Sequence, residues 1–363
     1  MLKPAVPPAL PPQINYEELI SHIGEAHSAL GKLNGILVNI PNLELLITPL
    51  LTKEAVLSSK IEGTRATMED VYEYEAEEKQ IQNTETEKDV KEIINYRGAI
   101  HKAIELLAIK PINLDLLNAM HDILLNSVRG STKTPGKFRQ NQVFIGTSHS
   151  SIAKALYIPP DADKVPQYLK DWEKYINSHQ EKDLLVQIGV AHYQLEAIHP
   201  YRDGNGRIGR LIIPLFLYYK KLLPYPLLYI SQYFENNRPL YYANLRTVDQ
   251  NHQWETWLQF FLEAITTQAL DTQKTAMQIL LLYSELKKQL YSFGSSYAIK
   301  ILDIIFKTPI VSFVSIKRQL NVGSNQTIYN LLNKFVQTGI LEPDMRRKRN
   351  KVYIFRQLME ILR

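Results

Sequence analysis

The 363-residue sequence contains no cysteine. Disulfides, a thiolate nucleophile and cysteine-ligated zinc are therefore excluded, and the absence agrees with a reducing cytosol, so a cytoplasmic location is expected. Long apolar runs are missing as well. The most apolar stretch, LIIPLFLYYKKLLPYPLLYI, contains Pro214, Lys220 and Lys221 within about the twenty residues a membrane helix needs, so it reads as a buried helix and no membrane partner is expected. The amino-terminal MLKPAVPPALPPQ is too proline-rich for the apolar core of a secretory signal and reads as an extended arm. Acidic residues are scarce at one end only: from residue 296 onward twelve Lys and Arg face four Asp and Glu, although the whole chain carries only +5. A basic carboxy-terminal module on a mildly acidic body is implied.

What is present is the composition of an ordinary globular protein, 45% hydrophobic and 22% charged, at a length that favours two or three modules. Residues 16–61 carry apolar positions at helical spacing, broken by NIPNLE around Pro41. EYEAEEKQIQNTETEKDVKEI reads as a charged, solvated connection running into the helix IINYRGAIHKAIELL. INLDLLNAMHDILLNSV follows as an amphipathic helix with a cap at its start. The texture then changes in TPGKFRQNQVFIGTSHSSIAKALYIPP. Two β-prone runs, 143–145 and 156–158, flank a polar loop that includes His149 and predict a hairpin inside a helical protein. Helical spacing resumes in DADKVPQYLKDWEKYINSH and DLLVQIGVAHYQLEAI. It continues through YYANLRTVDQ and WETWLQFFLEAITTQAL, until SFGSS interrupts it. Trp254 and Trp257 belong to the helical core, and His192, seven residues before His199, reads as a supporting core histidine because no carboxylate stands at ligand spacing.

The densest chemistry lies in HPYRDGNGRIGR, residues 199–210. Pro200 helps to stop the preceding helix. Gly204, Gly206 and Gly209 let the backbone turn tightly into a new helix, whose free N–H groups and positive dipole end suit an anion. Arg207 and Arg210 add guanidinium groups that match phosphate oxygens, and Asp203 is a hard ligand for Mg²⁺. His199 is the natural base, since an unperturbed imidazole is largely neutral near pH 7. Each residue alone has a bland structural account. Together they are the parts of a phosphoryl- or nucleotidyl-transfer site.

This segment resembles the signature of the Fic family, His-Pro-Phe-x-Asp-Gly-Asn-Gly-Arg-x-x-Arg, with Tyr201 in place of the usual Phe. The resemblance implies a mainly α protein: a helical Fic core with a small β-hairpin flap, an amino-terminal helical segment carrying an inhibitory helix, and a further carboxy-terminal module. It implies AMP transfer from ATP with Mg²⁺ to a Ser, Thr or Tyr hydroxyl of a protein substrate or of the chain itself. His199 would be the base and Asp203 the metal ligand. The nest of Gly204, Asn205, Gly206, Arg207, Ile208, Gly209 and Arg210 would hold ATP, with Asn205 on the α-phosphate, Arg207 on the β-phosphate and Arg210 on the γ-phosphate. FRQNQVFIG…ALYIPP is similar to the family's flap, in which Val143, Phe144 and Ile145 would dock a target segment by strand addition. NNRPLYYANL resembles the later nucleotide segment and places Tyr242 against adenine; a tyrosine in a helix core is the alternative.

LSSKIEGT matches the family's inhibitory pattern through Ser58, Glu62 and Gly63. Residues four apart share one helix face, so a hydroxyl and a carboxylate can address one pocket. By resemblance, Glu62 pairs with Arg210 where the γ-phosphate would lie.

The carboxy-terminal stretch has three helical runs and two β-prone pieces, similar to a winged helix-turn-helix. Ser324, Asn325, Gln326, Thr327 and Tyr329 would face DNA, with residues 346–349 and Lys351 on phosphates; a protein-contact module is the alternative. The expected division is 1–90 (inhibitory region), 91–270 (catalytic), 271–295 (linker) and 296–363 (winged helix), with a homodimer as a further expectation. Competing functions are a nucleotide-sensing DNA-binding regulator, or an enzyme that removes AMP or transfers another phosphate-containing group.

Overall fold

The structure is a computed structural model describing residues 3–77, 85–128, 132–146, 154–320, 324–345 and 351–363. The proline-rich arm does run extended. Ala5 N–H donates to the Ile158 carbonyl at 2.8 Å, and Gln194 Nε2 donates to the Pro8 carbonyl, so the arm lies beside residues 156–158. Helices then follow in order: α1 (Ile20–Leu37), α2 (Glu44–Ile61), α3 (Met68–Glu77), α4 (Glu85–Leu107), α5 (Leu114–Leu124), α6 (Val165–Ile176) and α7 (Leu184–Ile198). After the 199–204 loop come α8 (Asn205–Tyr219), α9 (Ser231–Asn236), α10 (Arg238–Asn251) and the long α11 (Trp254–Leu290). The expected mainly α fold is what the chain adopts.

Local chemistry sets these boundaries. Asn113 caps α5 by accepting from Leu116 N–H at 2.8 Å, and Asp183 caps α7 by accepting from Leu185 N–H at 2.8 Å. Helix α7 is apolar on nearly every side and is correspondingly central, since a helix without a polar face can only be buried. Gly189 makes its crossing with α11 possible: a Cβ there would lie 2.9 Å from Leu258 Cδ2. Trp257 then donates to the Gly189 carbonyl at 3.0 Å, and both Trp254 and Trp257 are buried, as expected of core residues. Among the described residues no helix is long and apolar enough to cross a membrane.

Two expectations change. The charged connection is only partly a wet surface, because α4 already begins at Glu85 and its Asp89 and Glu92 are buried. Residues 78–84 lie outside the described residues. Among the described residues the hairpin expected at 143–158 shows one antiparallel bridge, between Ile145 and Tyr157, with Ile145 N–H donating to the Tyr157 carbonyl at 2.8 Å. Its tip, with His149, also lies outside the described residues.

The carboxy-terminal unit contains α12 (Ser296–Lys307), β1 (Ile310–Ser312), α13 (Phe313–Leu320), α14 (Asn325–Gln337), β2 (Glu342–Pro343), β3 (Val352–Ile354) and α15 (Arg356–Leu362). Its strands form an antiparallel sheet in the order β1-β3-β2; β1 and α15 were not anticipated. A small core of Tyr72, Ala76, Ile310, Val352 and Met359 joins α3 to this sheet, and Ser312 Oγ donates to the Ala76 carbonyl at 2.7 Å. Helix α12 packs on α2. Helices α4 and α11 run unbroken through residues 90 and 270, so units divided at those points share helices.

Candidate active site

The site is built where three chain segments meet: the end of α7, the turn into α8 and the end of α2. His199 is the C-cap of α7 in the left-handed region, φ 51°, which turns the chain out of the helix immediately before Pro200. Arg139 braces that turn. Its Nε donates to the His199 carbonyl at 2.9 Å, its Nη2 donates to the Pro160 carbonyl at 2.5 Å, and its own N–H donates to the Pro200 carbonyl at 2.8 Å. One buried guanidinium thus holds the histidine turn and the base of the 143–158 segment together. Burial pushes the His199 imidazole down to about 4, and Arg139 adds to that, so the ring is neutral near pH 7.

The loop that follows is held from inside. Tyr201 is buried and stacks on His121, ring centroids 3.7 Å apart, while its hydroxyl donates to Asn118 Oδ1 at 3.0 Å. The Asn205 side chain accepts from Tyr201 N–H at 2.7 Å and donates to the Tyr201 carbonyl at 2.9 Å. That amide is committed to shaping the loop, which leaves the Asn205 backbone N–H to face an anion. His121 Nδ1 accepts from Gly136 N–H at 2.9 Å, so the proton is assigned to Nε2, which donates to the Asp203 carbonyl at 3.0 Å. Gly204, at φ +79°, then starts α8.

Helix α8 presents its first N–H groups beside two arginines with different partners. Arg207 is buried and donates to Glu92 Oε2 at 3.0 Å, with Asp203 Oδ1 3.5 Å from its other terminal nitrogen. Arg210 is also buried. Its Nη2 donates to Glu62 Oε1 at 2.7 Å and to the Ser58 carbonyl at 2.9 Å, and its Nε donates to Ser58 Oγ at 2.9 Å. Helix α2 therefore ends on Arg210: its last turn carries an exposed carbonyl, a hydroxyl and, at the C-cap, Glu62, with Gly63 at φ +101° turning the chain away. Ile208, one residue past Arg207, is buried against the core.

The Glu62 carboxylate rests on the anion nest itself. A Cβ at Gly206 would overlap Glu62 Oε1 and stand 2.8 Å from Arg210 Nη1. Burial pushes the Glu62 carboxyl up, but Arg210, with smaller help from Arg207 and His199, outweighs it and holds the group below the usual carboxylate range. Ser58, Glu62 and Gly63 are thus brought together with the start of α8.

The same face of α2 continues upward. Glu54, four residues before Ser58, is buried and accepts from Tyr96 Oη at 3.0 Å and Ser231 Oγ at 2.5 Å, tying α2 to α4 and α9. Arg238 of α10 donates to the Ile61 carbonyl and so holds the last turn from the other side.

Beside the nest opens a cavity of about 380 Å³, lined among others by Ile145, Tyr157, Glu196, Arg238, Tyr242 and Leu245. Tyr242 stands at this cavity and is 40% exposed, so the core-tyrosine alternative does not hold. Phe144 and Ile145 are each 38% exposed, and Val143 is half-buried. His192 is a core histidine, as expected: its Nδ1 donates to the Gly209 carbonyl and its Nε2 accepts from the Tyr241 hydroxyl, both at 2.9 Å. Burial holds it at about 3.

Comparison with known proteins agrees with this arrangement. Family models described as Fic/DOC family N-terminal and Fic/DOC family match residues 20–105 and 111–217, together more than half of the chain. The chain belongs to the Fic/DOC family. A curated protein adenylyltransferase Fic from Drosophila mojavensis is 36% identical over 84 residues, 23% of this chain and 15% of that relative. One from Drosophila ananassae is 30% identical over 126 residues, 31% of this chain and 22% of the relative. The matched Fic stretches thus span under a quarter of these relatives' length. A Fic family protein from Desulfovibrio desulfuricans G20 has the same fold, with TM-score 0.61 at 21% identity over 95% of this chain and 98% of its own. Fic-1 from Caenorhabditis elegans aligns with TM-score 0.56 at 18% identity, over 73% of this chain and 75% of that one.

Several residues of this Fic site were not singled out from sequence: Arg139, His121, Glu92, Glu54, Glu196 and Arg238. Only Arg139 and Arg238 left a signal, being charged residues inside the quoted FRQNQVFIG and NNRPLYYANL stretches.

Proposed function

We propose that this chain is an autoinhibited protein adenylyltransferase that transfers AMP from ATP to a hydroxyl side chain of a protein. The observation that carries the reading is the seat of Glu62: its carboxylate lies over Gly206 and pairs with Arg210 at 2.7 Å, where an anion would bind α8. A carboxylate held on an anion nest is a stand-in for phosphate, and phosphate is the matching ligand once it is withdrawn. His199, neutral near pH 7, takes the proton from the target hydroxyl. The hydroxyl oxygen bonds to the α-phosphorus, the bond to the bridging oxygen breaks, and pyrophosphate leaves with the electron pair. Arg210 takes the γ-phosphate when Glu62 is absent. With Glu62 in place the triphosphate is shifted and the in-line geometry is lost.

The donor set fits Mg²⁺ rather than a metal caged by protein. Asp203 is a single carboxylate, its side chain 41% exposed, and among the described residues no group of three or more His, Asp or Glu gathers around a common point. Bound together with the phosphates, the ion would neutralise their charge. Tyr242 and the neighbouring cavity take the adenine, and 143–145 offer a backbone edge to the target. The carboxy-terminal unit we read as a winged helix for DNA: Ser324, Asn325 and Gln326 are exposed, Thr327 is half-exposed, and Tyr329, 46% exposed, stacks on Phe313 at 4.1 Å. The basic run 346–349 lies outside the described residues.

The test is labelling of the protein or a cell extract with [α-³²P]ATP. Glu62→Gly raises incorporation and His199→Ala, in either background, removes it. Equal labelling by wild type and Glu62→Gly would sink the brake, and a nucleotide-sensing role would then be the reading to pursue.

A further inference from the structure

Two carboxylates, not one, address Arg210. Glu196 lies on α7 three residues before His199, and α7 packs directly on α8. Its carboxyl sits against Gly209, where an added Cβ would overlap Glu196 Oε1 and come within 3.3 Å of His192 Cε1. That oxygen is buried and, among the described residues, has no hydrogen-bond partner. An unpartnered buried carboxyl oxygen is costly, and its persistence beside a guanidinium calls for an explanation. The titratable and charged groups around it are Arg210 from α8, Glu62 from the end of α2, Tyr241, Tyr242, Arg238, Arg246 and Asp249 from α10, Tyr157 of the bridge to Ile145, and Tyr193 and His192, the latter held neutral, on its own helix. Burial pushes the Glu196 carboxyl up to about 7, against the pull of Arg210 and with the help of Glu62. Of the two, it is Glu62 that holds Arg210 at short range.

We propose that Glu196 is a reserve carboxylate for Arg210: a positioning residue that takes the guanidinium when Glu62 is withdrawn, and so sets how tightly the released site holds the terminal phosphate of a nucleoside triphosphate. The inference rests on the reading of Glu62 as a brake. Withdrawal of Glu62 removes a negative neighbour and leaves Arg210 unpaired, and both changes favour ionised Glu196. Ionised Glu196 then competes with the γ-phosphate for one cation. Protonated Glu196 does not. Release of the brake is therefore graded by pH, and Gly209 is the residue that lets the second carboxyl approach α8.

The test is calorimetric binding of MgATP and MgADP from pH 5.5 to 8.5 to wild type, Glu62→Gly, and Glu62→Gly combined with Glu196→Gln, with melting temperatures confirming that each variant folds. At pH 8.5 the double variant is expected to bind MgATP about tenfold more tightly than Glu62→Gly, the scale of one charge-assisted hydrogen bond. The ratio narrows as the pH is lowered from 8.5, and it stays near one at every pH for MgADP, which has no γ-phosphate. Equal MgATP affinity of the two variants at every pH overturns the reserve role, as does an equal gain for ADP. Weaker binding by the double variant would show that Glu196 touches the nucleotide directly, and would also overturn it. If Glu62→Gly itself binds MgATP no better than wild type, it is the brake reading that has failed.

Discussion

The two arginines at the start of α8 lie three residues apart and meet two regions of opposite character. Arg207 faces α4, where its partner Glu92 is as buried as it is, with side-chain exposures of 4% and 5%. Arg210 faces the end of α2, where Glu62 keeps 35% of its side-chain surface open to solvent while Arg210 keeps 1%. The first pair sits inside the wall. The second has one member that can leave, because a partly solvated carboxylate at a helix C-cap loses little by returning to water. The same residue type thus pairs with a buried carboxylate in one region and with a partly solvated one in the other, and it is the second pair that the proposed function reads as contested by phosphate.

The sharpest way to break that comparison is to remove Glu92. Glu92→Ala removes the buried partner of Arg207 and leaves it only the partly exposed Asp203 at 3.5 Å, and is expected to cost about 3 kcal/mol in chemical denaturation. A loss below about 1 kcal/mol would place Arg207 on the same footing as Arg210. Glu62→Gly is the contrasting experiment. It is expected to lower the melting temperature less than Glu92→Ala does, because Arg210 keeps its bonds to Ser58 and Glu62 is the solvated member of the pair, and to raise the AMP incorporation rate about a hundredfold or more, the scale on which a misplaced reactant is slowed. A large drop in melting temperature with no gain in labelling would make Glu62 a structural residue.

Acid titration sharpens the contrast between core and site. His192 is held at about 3 by burial, below the usual value for histidine, so its contribution to stability is fully present above pH 6.5 and is lost as the pH falls toward 3. Stability measured between pH 6.5 and 4 should fall with a shallower slope in His192→Gln, by about one proton. An unchanged slope would show that His192 is not held neutral. The smallest effect is expected at the departure from the family pattern. Tyr201→Phe removes the 3.0 Å hydrogen bond to Asn118 and keeps the stack on His121, so a loss of about 1 kcal/mol is expected, with labelling by the Glu62→Gly background preserved.

The parts of the site that could be read from the chain are those whose chemistry is contiguous. His199, Asp203 and the glycines lie within one turn, and Ser58 and Glu62 lie on one helical face, so local geometry alone brings them to a common place. Arg139, Glu92, Glu196 and Arg238 could not be read in this way. Each acts on a backbone or side chain that is distant in sequence or across a helix packing, and nothing in its own neighbourhood announces the partner. The charged run ahead of α4 shows the cost: Glu92 read as surface because its partner lies 115 residues away.

The sequence by itself determined the helical periods, the glycine turn into α8, the cap positions and the residue types able to bind phosphate, because each depends on neighbours within a few residues. It also placed Ser58 and Glu62 on one helix face. Only the tertiary structure decided that Glu62 seats over Gly206, that the Asn205 side chain serves the loop, that α3 shares a core with the carboxy-terminal sheet, and that Glu196 stands against Gly209. These depend on which helices cross, and crossings are set by burial of side chains from across the whole chain, which no local pattern contains.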